Sequence, residues 1–230
     1  GAIGSFHNFM SFGDFPMKGY NNTDNSTFKF PSGVILNKDL TKVHDLDLRN
    51  LKTVEEYVNN SWYDYSGDGN AGKHPWSGET NIHYTGPKPP YTHLDVNQKY
   101  SYIKTPRWKG QAMEVGPLAR TLIGYASGRP EYKEIVDATL SKLQVPAAAL
   151  FSTLGRTAAR ALETQLVAGW NLEFFDTLIN NIKNGDTRMA NMDKWEPSSW
   201  PSEAKGVGLV EAPRGALSHW IVIKDGKTEN

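Results

Sequence analysis

The clearest pattern in the chain is a run of apolar residues that recur every four positions between residues 150 and 182. This spacing places the side chains on one face of a single α-helix. We therefore predict one long helix from about Ala147 to Lys183, ended by Asn184 and Gly185. Since further apolar residues broaden this face beyond a two-stranded seam, we expect the helix to be the central rod of a helix bundle. The residues of the repeat are Leu150, Leu154, Ala158, Leu162, Leu166, Trp170, Phe174, Leu178 and Ile182.

Weaker signals predict three further helices. Pro117 stands at a favourable first helical position, and the apolar residues after it indicate a helix of three turns that stops near Gly128. A second helix is predicted from about Glu131 to Leu143. A capping-box spacing, Thr53 followed by Glu56, predicts a short helix from about residue 54 to residue 62.

The rest of the chain has strand and loop patterns. Alternation from Thr27 to Leu36 indicates strands joined by turns, and residues 206–230 indicate a strand, a tight turn, a second strand, an Asp-Gly turn and the start of a third strand. Residues 62–110 are rich in Gly, Pro and aromatic residues and follow neither period. Because a disordered linker would be poor in aromatic residues, we predict a long ordered loop region there.

Together these patterns predict an α+β fold that is mainly α, a helix bundle around one long central helix with β-hairpins and long ordered loops. We expect three segments of one larger domain. They are a strand- and loop-rich region with one short helix at 1–110, the helix-bundle core at 111–195, and a β-hairpin segment carrying EAPRG at 196–230.

Composition excludes several classes of function. Lys plus Arg and Asp plus Glu each number 25, so no basic field exists that would attract nucleic acid. The longest apolar runs, VPAAALF and WIVI, fall far short of a membrane span. Cys is absent, which removes disulfides and thiolate metal ligands from this chain. The opening without Met and the stop just after a hairpin turn lead us to expect a fragment.

The main candidate for chemistry is Arg214, between two apolar strands. Pro213 fixes its own φ, and Gly215 permits backbone conformations closed to other residues, so the turn is expected to be rigid. We expect the Arg214 guanidinium to be at least partly buried, which is unfavourable unless it has a partner or a ligand. Two interpretations stay open: an ion pair with Glu211 that holds the hairpin, or a group that faces a ligand.

Other polar residues favour structural roles. Arg156, Arg160 and Glu163 have helical spacing away from the apolar stripe, which indicates an Arg160–Glu163 pair or polar contact with a neighbouring segment. The six histidines form no HxxxH or HxH pair, so a self-contained metal site is not expected. Three of these histidines lie in the aromatic loop region and are interpreted as packing or interface residues, namely His74, His83 and His93.

Several separated blocks, in this order, resemble the large subunit of nickel-iron hydrogenases, in particular the respiratory, membrane-associated uptake enzymes. The blocks are HPWSGETNIHYTG with PKPPY, PRWKGQAMEVGPLAR, LGRTAARALET and GLVEAPRGALSHW. The resemblance implies reversible heterolytic cleavage of H2 at a nickel-iron centre with diatomic iron ligands. It also implies an iron-sulfur small subunit that carries the electrons away, and a location on the periplasmic side of the cytoplasmic membrane.

In that family two Cys-x-x-Cys pairs near the ends of the subunit hold the metals, and this chain has none. The resemblance therefore implies a central fragment that is inactive alone. It implies that Arg214 lies over the open face of the metal pair and that Pro213 lines the pocket near the diatomic ligands, with Glu211 and His219 as supporting residues. Because a guanidinium is a poor base, Arg214 is expected to orient and stabilise charge, and a nickel-bound thiolate is the easier base.

Two alternatives remain. One is a metal-free relative of the quinone-binding subunit of respiratory complex I, although LGRTAARALET and APRGALSHW look like the hydrogenase forms. The other is a non-catalytic binding module that uses its 7 Trp and 10 Tyr residues. In the hydrogenase interpretation, the aromatic loops supply part of the interface with the small subunit.

Overall fold

A computed structural model describes residues 4–17, 27–47, 53–67 and 71–230. The chain divides into two compact units, each assembled from separate stretches of sequence. Unit 1 comprises Gly1–Leu46, Glu114–Trp200 and Leu209–Leu217, and unit 2 comprises Asp47–Met113, Pro201–Gly208 and Ser218–Asn230.

The described residues of unit 1 form three α-helices, α1 (Pro117–Ala126), α2 (Pro130–Leu143) and α3 (Thr153–Lys183). The helices predicted from Pro117 and from about Glu131 are confirmed, and each has a proline in its first turn, where a missing N–H costs nothing. Gln144 adopts a φ of 54° and ends α2 in the left-handed conformation.

The long helix α3 begins six residues later than predicted. Ala147–Leu150 forms a separate 3-10 turn, and the Ser152 side chain accepts a hydrogen bond from the Gly155 N–H at 3.0 Å. A serine that caps the first turn in this way defines a new helix start. The predicted end is confirmed, because Asn184 is the C-cap and Gly185 has a φ of 82°.

Close packing at the start of α3 leads to a first prediction. A Cβ added to Gly155 would lie 2.0 Å from the Leu150 carbonyl oxygen, whereas one added to Gly169 would meet no described atom within 4 Å. We expect Gly155→Ala to lower the free energy of unfolding by about 1–3 kcal/mol, since the short turn has to move aside. Gly169→Ala should raise it by about 0.5–1 kcal/mol. Denaturant unfolding measures both, and effects of the same sign would contradict the packing.

Besides the hairpin near the end of the chain, the described part of unit 1 contains four short strands. β1 (Phe9–Ser11) pairs with β4 (Gly33–Ile35), and β2 (Asp14–Pro16) pairs with β3 (Phe28–Phe30), both antiparallel. The strands expected between Thr27 and Leu36 are thereby confirmed. The main core packs α1 between these strands and the other helices. It includes Phe9, Ile35, Leu118, Leu122, Ile123, Val136 and Leu162.

The apolar stripe of α3 is covered over only part of its length by the described residues. α1 and α2 pack against α3, and Leu162 and Trp170 are buried. Leu154 at the start of the helix is 81% exposed, and beyond Phe174 the stripe opens to solvent, with Leu178 55% and Ile182 50% exposed. The periodicity thus correctly predicted the helix, while the described residues surround only its middle part.

Two small antiparallel pairs of strands lie in the part of unit 2 that the structure describes between residues 53 and 113. β5 (Val54–Tyr57) pairs with β8 (Thr105–Trp108), and β6 (Tyr63–Tyr65) pairs with β7 (Thr80–Ile82). The predicted long ordered loop region therefore contains three short strands.

The short helix predicted from residue 54 is wrong, because that segment is β5. Val54 and Tyr57 favour strand geometry, and the main chain of Glu56 also exchanges hydrogen bonds of 2.9 and 3.1 Å with Lys73. Main-chain pairing with distant segments therefore prevailed over the local capping signal.

The predicted hairpins near the end of the chain are confirmed. β9 (Glu203–Ala212), β10 (Gly215–Lys224) and β11 (Lys227–Thr228) form one sheet in the order β11-β10-β9. Asp225 and Gly226 both have positive φ values, 49° and 74°, as a two-residue hairpin turn requires.

The fold is α+β, as predicted, but it is not mainly α, because the described strands hold nearly as many residues as the three α-helices. The sequence analysis predicted too much helix, because a segment that carried a local helix signal pairs as a strand with partners far away in the sequence. Among the described residues, no helix combines the length and the apolar character needed to cross a membrane.

Candidate functional site

The turn between β9 and β10 lies directly against the start of α1. A Cβ added to Gly116 would lie 2.7 Å from the Arg214 carbonyl oxygen, and one added to Gly215 would lie 2.5 Å from the Gly116 nitrogen. The φ values are 111° at Gly116 and 131° at Gly215, where other residues are strained. Glycine at both positions therefore allows the two main chains to touch, and this contact positions Pro213 and Arg214.

Pro213 and Arg214 are both exposed, so the expected partial burial of Arg214 is wrong. The turn projects away from the apolar core instead of running through it. Both residues line a cleft of about 270 Å³ in unit 1. Its other lining residues are Glu114, Val115, Pro117, Leu118, Arg156 and Arg160.

The cleft carries an excess of positive charge. Arg156 donates from Nε and Nη2 to the two Glu114 carboxylate oxygens at 2.6 and 2.8 Å, and this hydrogen bonding raises the pKa of Arg156. Arg160 and Arg214 add two more guanidinium groups, for which the described residues provide no carboxylate partner. The α1 N-terminus also opens here, with no side-chain cap and no acidic residue in its first turn. Together these groups favour negative charge in the cleft.

A buried charged network lies behind the turn and centres on Arg120 of α1, which is 1% exposed. Arg120 pairs with Glu163 of α3 and with Glu211 of β9. The predicted ion pairs Arg214–Glu211 and Arg160–Glu163 are therefore both wrong, because the two carboxylates pair with Arg120 instead. The predicted polar contact of Glu163 and Arg156 with neighbouring segments is confirmed.

Sequence reasoning missed Arg120, although a signal was available. Arg120 is the one charged residue in the helix PLARTLIGYA, which is otherwise largely apolar. A single charge in such a helix requires a buried partner, and the partners are far away in sequence.

Glu211 is deeply buried and ties the hairpin to the first two strands. One Glu211 carboxylate oxygen pairs with Arg120, and the other accepts a hydrogen bond from the Phe12 N–H at 2.7 Å. The Glu211 main-chain N–H donates to the Asp14 carboxylate at 2.9 Å. Burial raises the pKa of Glu211, while hydrogen bonding and the charge of Arg120 oppose that rise. Glu211 therefore supports the turn through Arg120 and not through contact with Arg214.

The described residues that line this cleft include no histidine. His219 is an exposed residue in the part of β10 that belongs to unit 2. His74 packs against Trp76 and Trp220, as predicted, and burial lowers its pKa. His83 pairs with Asp64 on the surface of unit 2, and His93 is exposed.

The described residues provide no metal site. They include no group of three or more His, Cys, Asp or Glu side chains that could hold an ion, and the chain has no cysteine. A larger groove of about 480 Å³ in unit 1, between the end of α2 and the start of α3, is mostly apolar. Lys38 is its one charged lining residue among those described, so the Arg214 cleft is the better candidate for chemistry.

Comparison with protein families decides the relationship. The family model described as nickel-dependent hydrogenase matches residues 2–230. The chain belongs to this family. It is 48% identical to the uptake hydrogenase large subunit of Rhizobium leguminosarum bv. viciae over 100% of this chain and 41% of the relative. It is 44% identical to the hydrogenase-1 large chain of Escherichia coli K12, over 96% of this chain and 37% of the relative.

Solved structures agree with this relationship. The reduced, active form of the Ni-Fe-Se hydrogenase from Desulfomicrobium baculatum matches with a TM-score of 0.62 and 30% identity, covering 100% of this chain and 41% of that one. The chain thus spans about two fifths of the length of the relatives it matches. The nickel centre that the family implies does not fit the residues present, because they offer no set of ligands for it.

Proposed function

We propose that this chain is part of the large subunit of a nickel-iron uptake hydrogenase, which cleaves H2 reversibly into protons and electrons. The observation that carries the proposal is the match to uptake hydrogenase large subunits over the whole chain. In this proposal the nickel-iron centre with its diatomic iron ligands is held by residues that this chain does not supply.

The role of Arg214 in this proposal follows from its turn. The Gly116–Gly215 contact makes the backbone rigid, and the cleft beside it is rich in positive charge. A guanidinium stays protonated in proteins, so Arg214 would orient and stabilise negative charge that develops beside the cleft, and it would not accept the proton. Pro213 would form part of the wall of the same cleft. Glu211 would support the turn, and His219 remains a proposed supporting residue.

An iron-sulfur small subunit is the proposed partner and would carry the electrons away. Unit 2 has the exposed apolar side chains that such an interface requires, including Ile82 at 73%, Ile103 at 77% and Tyr91 at 67% exposure. We also propose a location on the periplasmic side of the cytoplasmic membrane, which the resemblance to membrane-associated uptake hydrogenases implies.

The bundle around α3 is proposed to be completed in the full subunit. Four apolar residues of α3 are spaced by three, four and three positions, which is typical of a surface that packs against another α-helix. They are Leu172, Phe175, Ile179 and Ile182. Three of them are at least half exposed in this chain. In the same proposal, the segments 1–110, 111–195 and 196–230 belong to one larger domain.

The proposal is tested by expressing the complete gene together with its small-subunit gene. We expect Cys-x-x-Cys pairs on both sides of the present residues, bound nickel, and H2-dependent reduction of a dye by the purified complex. The 230-residue chain alone serves as the control and should bind no nickel. Deleting residues 66–92 from the full subunit should abolish co-purification of the small subunit. A complete protein without nickel and without H2-dependent reduction would overturn the proposal.

A further inference from the structure

We propose that Arg120 is the positioning residue of the Arg214 turn. In this view its buried guanidinium, held by Glu163 and Glu211, fixes the main chain that leads into Arg214 and so sets where Arg214 points. The inference rests on the proposed function of Arg214, which it deepens by naming the group that holds that residue in place.

The hydrogen bonding of Arg120 is complete. Its Nε donates to Glu163 at 2.6 Å, and one Nη2 hydrogen bond reaches the other Glu163 oxygen at 2.7 Å. Nη1 donates to Glu211 at 2.6 Å and to the Ala212 carbonyl at 3.0 Å, and Nη2 donates to the Pro213 carbonyl at 3.3 Å. A guanidinium has five N–H donors, so each one has an acceptor.

The two carbonyl groups are what connect Arg120 to function. The direction of a carbonyl reports the ψ angle of its residue, and the proline ring already fixes φ at Pro213. When Arg120 holds the Ala212 and Pro213 carbonyls, the ψ angles on both sides of that fixed φ are set. The direction of the main chain that leads into Arg214 is then fixed, and on the other side of Arg214 the main chain of Gly215 packs against Gly116.

The groups around Arg120 come from separate elements and are largely buried. Glu163 lies on α3, Glu211 lies on β9, and the central carbon of the Arg120 guanidinium lies over the Phe30 ring of β3, 4.7 Å from its centre. The Arg120 side chain is 1% exposed and the Glu211 side chain is 0% exposed. Because the guanidinium is planar, its two hydrogen bonds to the Glu163 carboxylate define its plane. A lysine ammonium carries its three N–H donors on a single nitrogen and has no planar fork, so it would not hold the two carbonyls in the same way.

The test uses the full-length large subunit in its complex with the small subunit. Arg120→Lys keeps the buried charge and removes the planar fork. We expect kcat to fall about 10- to 100-fold while the nickel content stays unchanged. Amide hydrogen exchange in peptides that cover residues 209–217 should become about tenfold faster. The matched control is Arg129→Lys, which changes an arginine that donates to the Phe28 and Lys29 carbonyls of β3 and should alter neither quantity.

A double variant separates positioning from general destabilisation. If Arg120 acts through Arg214, adding Arg120→Lys to Arg214→Lys should lower kcat by less than about twofold more. Losses that multiply in the double variant would overturn the inference, as would unchanged exchange at residues 209–217 in Arg120→Lys. If Arg214→Lys alone keeps normal turnover, the proposed role of Arg214 fails, and the exchange measurement still decides whether Arg120 positions the turn.

A second variant covers the case in which Arg120→Lys does not assemble. Glu163→Gln keeps the size and an acceptor oxygen but removes the charge that orients Arg120. The same acceleration of exchange at residues 209–217 is expected, and its absence would overturn the inference.

Discussion

Replacing Arg214 with lysine in the complete enzyme is expected to lower the turnover of H2 by about 10²- to 10³-fold. Lysine keeps the positive charge but loses the rigid set of N–H donors that a guanidinium presents. Arg214 makes no hydrogen bond to another described residue that would stabilise the fold, and its side chain is exposed in the cleft. We therefore expect nickel content and melting temperature to remain at the values of the unchanged enzyme. Dye-coupled H2 oxidation and metal analysis on the same preparation measure both effects.

Arg188→Lys is the matched control for this experiment. Arg188 is also an exposed arginine of unit 1, and its ion pair with Asp186 lies after the end of α3. Turnover should not change in that variant. Near-normal turnover in Arg214→Lys would show that the cleft arginine is not part of the chemistry.

The second large effect is expected at Gly215. An added Cβ would lie 2.5 Å from the Gly116 nitrogen and 2.8 Å from the Val115 carbonyl carbon, so Gly215→Ala forces main chain away from main chain. The φ of 131° adds strain for any residue with a side chain. We expect the free energy of unfolding to fall by about 3–5 kcal/mol, from overpacking and backbone strain together. Denaturant unfolding measures the change.

Gly110→Ala separates the two causes. Gly110 has a positive φ of 72°, but a Cβ there would meet no described atom within 4 Å. The control should therefore report backbone strain alone, about 1 kcal/mol. An equal loss in both variants would mean that the contact between the turn and α1 contributes nothing.

Several elements were predictable from sequence because their causes are local. The apolar repeat and the Asn-Gly end defined α3 from its middle to Lys183, and proline positions marked the starts of α1 and α2. The start of α3 was missed because Ser152 caps a new helix within an apolar stretch. The segment from Val54 was missed because its pairing partner, β8, lies about fifty residues away in the chain.

In the candidate site, too, some features were visible in the sequence and others depended on the fold. The EAPRG turn, its glycine and the resemblance to hydrogenases were visible in the sequence, and so were the candidates Pro213 and Arg214. The exposure of Arg214 and the identity of the partner of Glu211 were not, since both depend on which face of the turn meets the core.

By itself, then, the sequence determined the family of this chain, the helices with strong periodicity, the terminal hairpins and the position of the arginine turn. Periodicity and turn chemistry act over a few residues, so they survive without knowledge of the fold. Only the tertiary structure decided that Arg120 takes Glu211 and Glu163, which are 91 and 43 residues away. A buried charge binds the partner that packing brings to it, and that partner is chosen by the whole core and not by neighbouring residues.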